Sequence, residues 1–249
     1  MDKLVRVFST LDGLYQAAAD HFAGIVTQAV QARGEAYVTL SGGGTPQKLY
    51  QLLARQPYQT AIPWDAIHFY WGDERCVPPD HPESNFGQVK KILFEGVPVR
   101  KENLHRILGE MKPEDAVKDY IHTLAQHGTP DQPWPQMDYT LMGMGADGHT
   151  ASLFPGKVNP EEEISPVISA SAEYLGRPAE RVTLTPRVFN TSSNVVFLVA
   201  GADKAAVLSA VLNGPFDPIN LPAQRIQPAR GTLTWLVDSL AAQFIVEGK

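Results

Sequence analysis

The chain has 249 residues, a formal net charge of −6 and one cysteine, Cys76, which together suit one α/β domain over 1–249 with a sizeable core and exclude a disulfide framework. The acidic balance argues against a broad nucleic-acid surface, and the composition, 43% hydrophobic and 19% charged, is ordinary for a globular protein. No apolar stretch approaches membrane-span length and no signal-peptide core follows Met1, so a cytoplasmic protein without membrane or nucleic-acid partners is expected.

Residues 4–8 read as a short strand, and Ser9 or Thr10 can cap the helix that follows. Leu11, Leu14, Tyr15, Ala18, Phe22, Ile25, Val26 and Ala29 fall on one helical face, and Gly34 is a natural stop. A second strand over 35–40 runs into Ser41-Gly42-Gly43-Gly44-Thr45-Pro46. Thr45 is a good cap there, Pro46 suits a first helical turn, and Leu49, Leu52 and Leu53 form the buried side. Strand, glycine loop and helix N-terminus in that order make an anion site from exposed amides and the helix dipole. A tight turn using glycine for geometry alone is the other reading. The loop lacks the Gly-Lys-Ser/Thr of a phosphate-binding Walker loop, and its contiguous glycines are not a dinucleotide fingerprint.

A third strand over 66–71 is followed by Gly72-Asp73-Glu74-Arg75 and an extended piece at Val77-Pro78-Pro79. A charge run is ordinarily solvated, but its place directly after a buried-looking strand favours function. Helices are predicted over 84–95 and 113–127, the second lying between Pro113 and Gly128. The fourth strand, 137–142, delivers a loop over 143–156 in which four glycines surround Asp147 and His149. An acid and a base two residues apart on such a loop suit proton transfer, since histidine alone titrates near neutral pH without perturbation. The other six histidines show no pattern. Residues 157–180 read as loop with one edge strand near 167–170. Strands over 181–185 and 194–200, a helix over about 205–212, a Pro-rich segment at 215–228 and a tail of strand then helix over 233–244 complete the chain.

Apolar strands without period-two polarity, alternating with helices, predict a mostly parallel sheet covered on both faces. The loops at 41–46, 72–75 and 143–149, and the loop carrying Lys204, each follow a strand. A parallel sheet therefore gathers them at its carboxyl edge, where ligands bind. One site then holds an amide nest with Asp73, Arg75, Asp147, His149 and Lys204, suited to an anionic substrate and proton transfer. Lys204 opposes the dipole of the helix it begins, which points to a task other than capping. Arg181 reads either as part of this site or as surface charge. Asp73, Glu74, Asp147 and His149 are metal-ligand types, but no H-E-x-x-H or paired Cys/His spacing occurs, so no metal is expected. No G-x-S-x-G elbow supports a serine nucleophile.

Ser41-Gly42-Gly43-Gly44-Thr45-Pro46, Trp71-Gly72-Asp73-Glu74-Arg75-x-Val77-Pro78 with Ser84-Asn85, and Gly143-Met144-Gly145-x-Asp147-Gly148-His149-Thr150-Ala151-Ser152-Leu153-Phe154-Pro155-Gly156 resemble the 6-phosphogluconolactonase family. Arg181-Val182-Thr183-Leu184-Thr185, Gly201-x-x-Lys204-Ala205 and Pro222-Ala223-Gln224 continue the match, which runs from about residue 10 to 240. The resemblance implies a modified Rossmann-like fold of the deaminase, ribose-5-phosphate isomerase and CoA-transferase type. It implies hydrolysis of 6-phospho-D-glucono-1,5-lactone, a small phosphosugar, without cofactor, by a monomer or weak homodimer. On that basis the 6-phosphate sits on Gly42, Gly43, Gly44, the Ser41 and Thr45 hydroxyls and Lys204, with Arg181 helping. His149 is the implied base, Asp147 or Asp73 orients it, and Arg75 faces the carbonyl oxygen. The related glucosamine-6-phosphate deaminases follow their Asp-Gly-His with Phe-Asn-Glu-Pro, and this chain has Phe154 at the glutamate position. Pro186-Arg187 departs from relatives that are apolar there and leaves open the path after Thr185.

Overall fold

The computed structural model describes residues 3–156, 158–173 and 176–245. β1 (Lys3–Phe8) leads to α1 (Leu11–Arg33), capped by the Thr10 hydroxyl on the Gly13 amide and stopped by Gly34 in the left-handed region. β2 (Ala36–Leu40), α2 (Gly44–Leu53), the short α3 (Tyr58–Ala61) and β3 (Ile67–Trp71) follow. β4 (Asp73–Arg75) comes next, then α4 (Asn85–Val89), which continues as one π-turn over Lys90–Phe94. β5 (Leu104–His105), α5 (Pro113–Ala125) and β6 (Tyr139–Met142) precede the glycine-rich loop. β7 (Val167–Ser171), β8 (Glu180–Leu184), α6 (Pro186–Phe189), β9 (Asn194–Val199), α7 (Ala205–Asn213) and β10 (Thr232–Asp238) complete the order.

Seven strands form one sheet in the order β1-β10-β9-β6-β2-β3-β5, and every pairing is parallel. Its central strands are apolar on both sides because both faces are covered: all of β6 and Val195 to Val199 of β9 are buried. α1 lays Leu14, Ala18, Phe22 and Val26 against one face, where Phe22 meets the Tyr139 ring edge-on at 5.2 Å. On the opposite face β3 turns out His68 and Tyr70, with α5 nearby; the Tyr120 hydroxyl of α5 donates to the Trp71 carbonyl and accepts from the Trp71 amide. No described helix is long and apolar enough to cross a membrane.

Three local expectations change. Asp73–Arg75 is not a loop but a strand, in a separate three-stranded antiparallel sheet, β4-β8-β7. Its three charged residues carry no apolar alternation, yet the Gly72 amide extends the β2 edge to Leu40 O and the Gly72 carbonyl takes the Leu184 amide, so the chain crosses directly from one sheet to the other. The tail after β10 forms turns rather than a helix, because the Asp238 carboxylate takes the Ala241 amide and Ser239 is tied to Phe8 O. Thr45 does not cap α2; Gly43, at φ 100°, does, and Thr45 falls inside the first turn. After Thr185 the chain makes the four-residue α6, with Pro186 at its first position.

Candidate active site

β2 and β6 are neighbours although the chain leaves β2 toward β3 on one side and returns with β6 on the other. The crevice beyond their carboxyl ends is therefore the topological switch point of the sheet. A cleft of about 250 Å³ opens there. Ser41, Gly42, Gly43, Gly44, Thr45, Asp73, Arg75, His149, Arg181 and Lys204 all line it, so the four sequence-predicted loops and β8 do converge. Asp147 lies behind His149 and does not line the cleft.

The glycine loop is held from below. The buried Tyr50 hydroxyl donates to Ser41 O at 2.7 Å and accepts the Ser41 amide at 3.1 Å, and burial pushes that phenol up, keeping it protonated. A Cβ on Gly42 would fall 1.9 Å from Asn85 Oδ1, so only glycine lets these two segments touch. No side chain caps the first turn of α2, which leaves its amides directed at the cleft.

The second wall is built on β4 and β8, where Arg75 and Arg181 are directly opposed across the antiparallel pair. Both are almost fully buried. Arg75 donates to Glu83 O at 2.6 Å and lies 3.4 Å from Glu83 Oε2. The Nε of each arginine has no hydrogen-bond partner among the described residues. Burial lowers the Arg181 guanidinium, the Asp73 charge counters this, and Arg75 and Arg177 add to the lowering. Asp73 is itself fixed: Ser152 Oγ donates to Oδ2 at 2.6 Å and the Asn85 amide group reaches Oδ1 at 3.2 Å. Glu74 faces the other way and is not a site residue. It accepts the amides of Arg75, Asn85 and Phe86 and the Ser84 hydroxyl, binding the 84–86 turn to β4, and burial raises its carboxyl against the pull of those donors. Glu74 is thus turned away from Asp73, Asp147 and His149, and these four are not gathered as a metal-ligating group among the described residues.

The third wall carries the acid–base pair. Asp147 Oδ1 lies 2.6 Å from His149 Nδ1 and also takes the His149 amide at 3.1 Å. Partial burial would raise the Asp147 carboxyl, but its bonds to His149 outweigh this and hold it below the usual range. An ionised carboxylate at Nδ1 sets the tautomer, with the proton on Nδ1 and the lone pair on Nε2. The loop must be glycine-rich to achieve this. A Cβ on Gly145 would sit 2.2 Å from His149 Nδ1 and 2.6 Å from Asp147 Oδ1, so the pair folds over a missing side chain. Gly148 turns at φ 84°, and Ala151, at φ 49°, is held by neighbours: Thr150 donates to Gly143 O and Ser152 to Asp73. Phe154 stacks obliquely on the His149 ring at 5.1 Å and lies under the Arg181 guanidinium at 5.5 Å.

Lys204 reaches the cleft from the turn before α7, its Nζ 2.9 Å from Asp203. Phe154, at the position of the deaminase glutamate, also lines the cleft, as do Asn85 and Arg177, which the sequence did not assign to the site. Asn85 stands inside a quoted motif and could have been found there, whereas Arg177 sits in a stretch with no periodicity.

The sequence profile described as "Glucosamine-6-phosphate isomerases/6-phosphogluconolactonase" matches residues 9–235. A 6-phosphogluconolactonase of Haemophilus influenzae is 36% identical over 209 residues, 84% of this chain and 87% of that one. Another from Synechocystis is 38% identical over 220 residues, covering 88% of both. The crystal structure of 6-phosphogluconolactonase from Thermotoga maritima superposes with a TM-score of 0.81 at 28% identity, over 96% of this chain and all of that one. With the profile spanning nearly the whole parallel sheet and every cleft loop, the chain belongs to the glucosamine-6-phosphate isomerase/6-phosphogluconolactonase family.

Proposed function

We propose that the chain, as one domain over 1–249, hydrolyses 6-phospho-D-glucono-1,5-lactone to 6-phospho-D-gluconate, the second step of the oxidative pentose phosphate pathway. The relatives carry the name of that activity. The observation that carries the reading is an Asp147–His149 pair facing, across one cleft, a helix N-terminus without a side-chain cap and a cluster of cations. The 6-phosphate rests on the amides of Gly42, Gly43 and Gly44, the Ser41 and Thr45 hydroxyls and Lys204, with Arg181 beside it. This seats the lactone carbonyl toward the loop of His149.

Neutral His149 takes a proton at Nε2 from a water whose oxygen bonds to C1. Asp147, rather than Asp73, holds the ring and steadies the imidazolium. Arg75 faces the carbonyl oxygen as it gains charge. The tetrahedral centre then collapses, the C1–O5 bond breaks, and the imidazolium returns its proton to the departing O5. Asp73, anchored by Ser152 and Asn85, balances Arg181. A positioned base contributes about 10²–10⁴-fold and an oxyanion donor on the order of 10²–10³-fold. Phe154 next to His149 offers no proton, which favours hydrolysis over the deaminase chemistry. The single cysteine suits a cytoplasmic setting, and the free small-molecule substrate suits a monomer or weak homodimer.

The test is hydrolysis of freshly generated 6-phosphogluconolactone, followed above its spontaneous rate with chelator present. His149→Ala should lose most turnover while retaining affinity for the product 6-phosphogluconate. Equal loss of both would refute the base assignment.

A further inference from the structure

Three histidines with no pattern in the sequence meet on the sheet face opposite α1. His68 comes from β3, His105 from β5 and His127 from the turn after α5, and one ring nitrogen of each lies within 4.8 Å of the others. His68 Nδ1 and His105 Nε2 are 2.9 Å apart, with the two rings nearly parallel at 7°. None of the three lines the cleft. We propose that His68, His105 and His127 bind one borderline divalent transition-metal ion of the Zn(II) class, at a site separate from the catalytic cleft.

Three imidazoles match that class of ion rather than Mg(II) or Ca(II), which take oxygen ligands. Nitrogens on one such ion stand about 3.0–3.4 Å apart for bonds of about 2.0–2.1 Å. The His68–His105 spacing is within 0.5 Å of that range and the widest spacing needs side-chain movement of roughly an ångström. Two of the rings have polar neighbours at their second nitrogens, as metal-bound histidines do: a hydrogen bond for His127 and a carboxylate beside His68. Glu35 Oε2 is 3.6 Å from His68 Nε2 and is steadied by the Tyr37 hydroxyl on Oε1 at 2.7 Å. The Tyr70 hydroxyl is 2.9 Å from His127 Nδ1. Burial, and the other rings of the cluster, lower His105 to about 4, and burial first of all lowers His68. An ion here ties edge strand β5 and the turn after α5 to the neighbouring β3.

Zn(II) titrated calorimetrically into chelator-dialysed full chain should bind with a stoichiometry of one and raise the thermal midpoint, with reversal by chelator. His105→Gln and His127→Gln, each shown by circular dichroism to be folded, should lose that binding. Glu35→Gln should weaken it about 10–100-fold. His149→Ala should bind Zn(II) as the parent does. No saturable binding, or binding that survives both glutamine variants, or binding lost only in His149→Ala, would overturn the proposal.

Discussion

Gly145→Ala tests the geometry of the acid–base pair without touching either member. The added Cβ would stand 2.2 Å from His149 Nδ1, 2.3 Å from Cε1 and 2.6 Å from Asp147 Oδ1, where ordinary contact begins at 3.4 Å. The ring must retreat by about 1 Å, and a displacement of that size in a reacting group costs on the order of 10²-fold, about 2.7 kcal/mol of barrier. The backbone itself tolerates the change, since Gly145 is not among the glycines at positive φ. Loss of chain freedom in the unfolded state offsets part of any strain, by about 0.4–1 kcal/mol. The expected result is a kcat lowered about 100-fold, an affinity for 6-phosphogluconate within about twofold of the parent and a nearly unchanged melting temperature. Gly24→Ala, inside α1 with nothing within 4 Å of its Cβ, is the control and should stabilise by about 0.5–1 kcal/mol. A folded Gly145→Ala with parental kcat would refute the reasoning, because the ring position seen here would then not be the one that works.

Lys204→Ala should raise KM with little change in kcat, since a phosphate contact is similar in ground and transition states; a pure kcat effect in steady-state kinetics would count against that role. Gly42→Ala drives a Cβ to 1.9 Å from Asn85 Oδ1 and disturbs the bond from Asn85 to Asp73, so calorimetry should show a loss of about 1–3 kcal/mol, a fall of several degrees in Tm, together with a higher KM. In metal-free protein the histidine cluster should erode stability on the acid side. The folded-state value of His105, about 4, lies below its ordinary 6.5, so the unfolded chain binds more protons between those values and stability drops as pH falls through that window. Discounted for partial exposure, the loss is about 1–2 kcal/mol. Denaturant melts of His105→Gln at pH 7 and pH 4.5 should show a shallower dependence, and an equal slope would exclude His105 as the source.

The parallel core was legible because its signals are local. Apolar runs that end in a glycine loop and restart as a helix are visible residue by residue, and a parallel sheet forces such loops to one edge. The residues that escaped notice depend on pairing rather than on sequence neighbours. His68 and Tyr70 share a face by strand alternation, but His105 joins them only because β5 pairs Phe69 with Leu104 and Tyr70 with His105. β5 is two residues long, too short to show any period. Arg177 is similar, lying between β7 and β8 in a stretch without periodicity.

The small antiparallel sheet shows why the charge run at 73–75 could be read neither as a plain loop nor as a plain strand. Alternation along β4 sends Asp73 and Arg75 to one side and Glu74 to the other. Glu74 accepts three bonds from the 84–86 turn and one from the Arg75 amide, so it anchors the strand. The side with Asp73 and Arg75 faces Thr183 and Arg181 across the ladder. Two guanidiniums directly opposed in a buried pair cost stability unless anions balance them. Asp73 and Glu83 supply part of that balance, yet among the described residues the Nε of each arginine has no partner. A fold that keeps two buried, incompletely partnered arginines beside a helix N-terminus without a side-chain cap holds positive potential in reserve for a ligand that brings negative charge. Removing one of them should therefore help the empty protein and harm the occupied one. Arg181→Met is expected to melt at or above the parent temperature without ligand, and to lose most of the stabilisation that 6-phosphogluconate gives the parent. A variant that is destabilised when empty, yet stabilised by ligand as strongly as the parent, would show that Arg181 serves the fold and not the site.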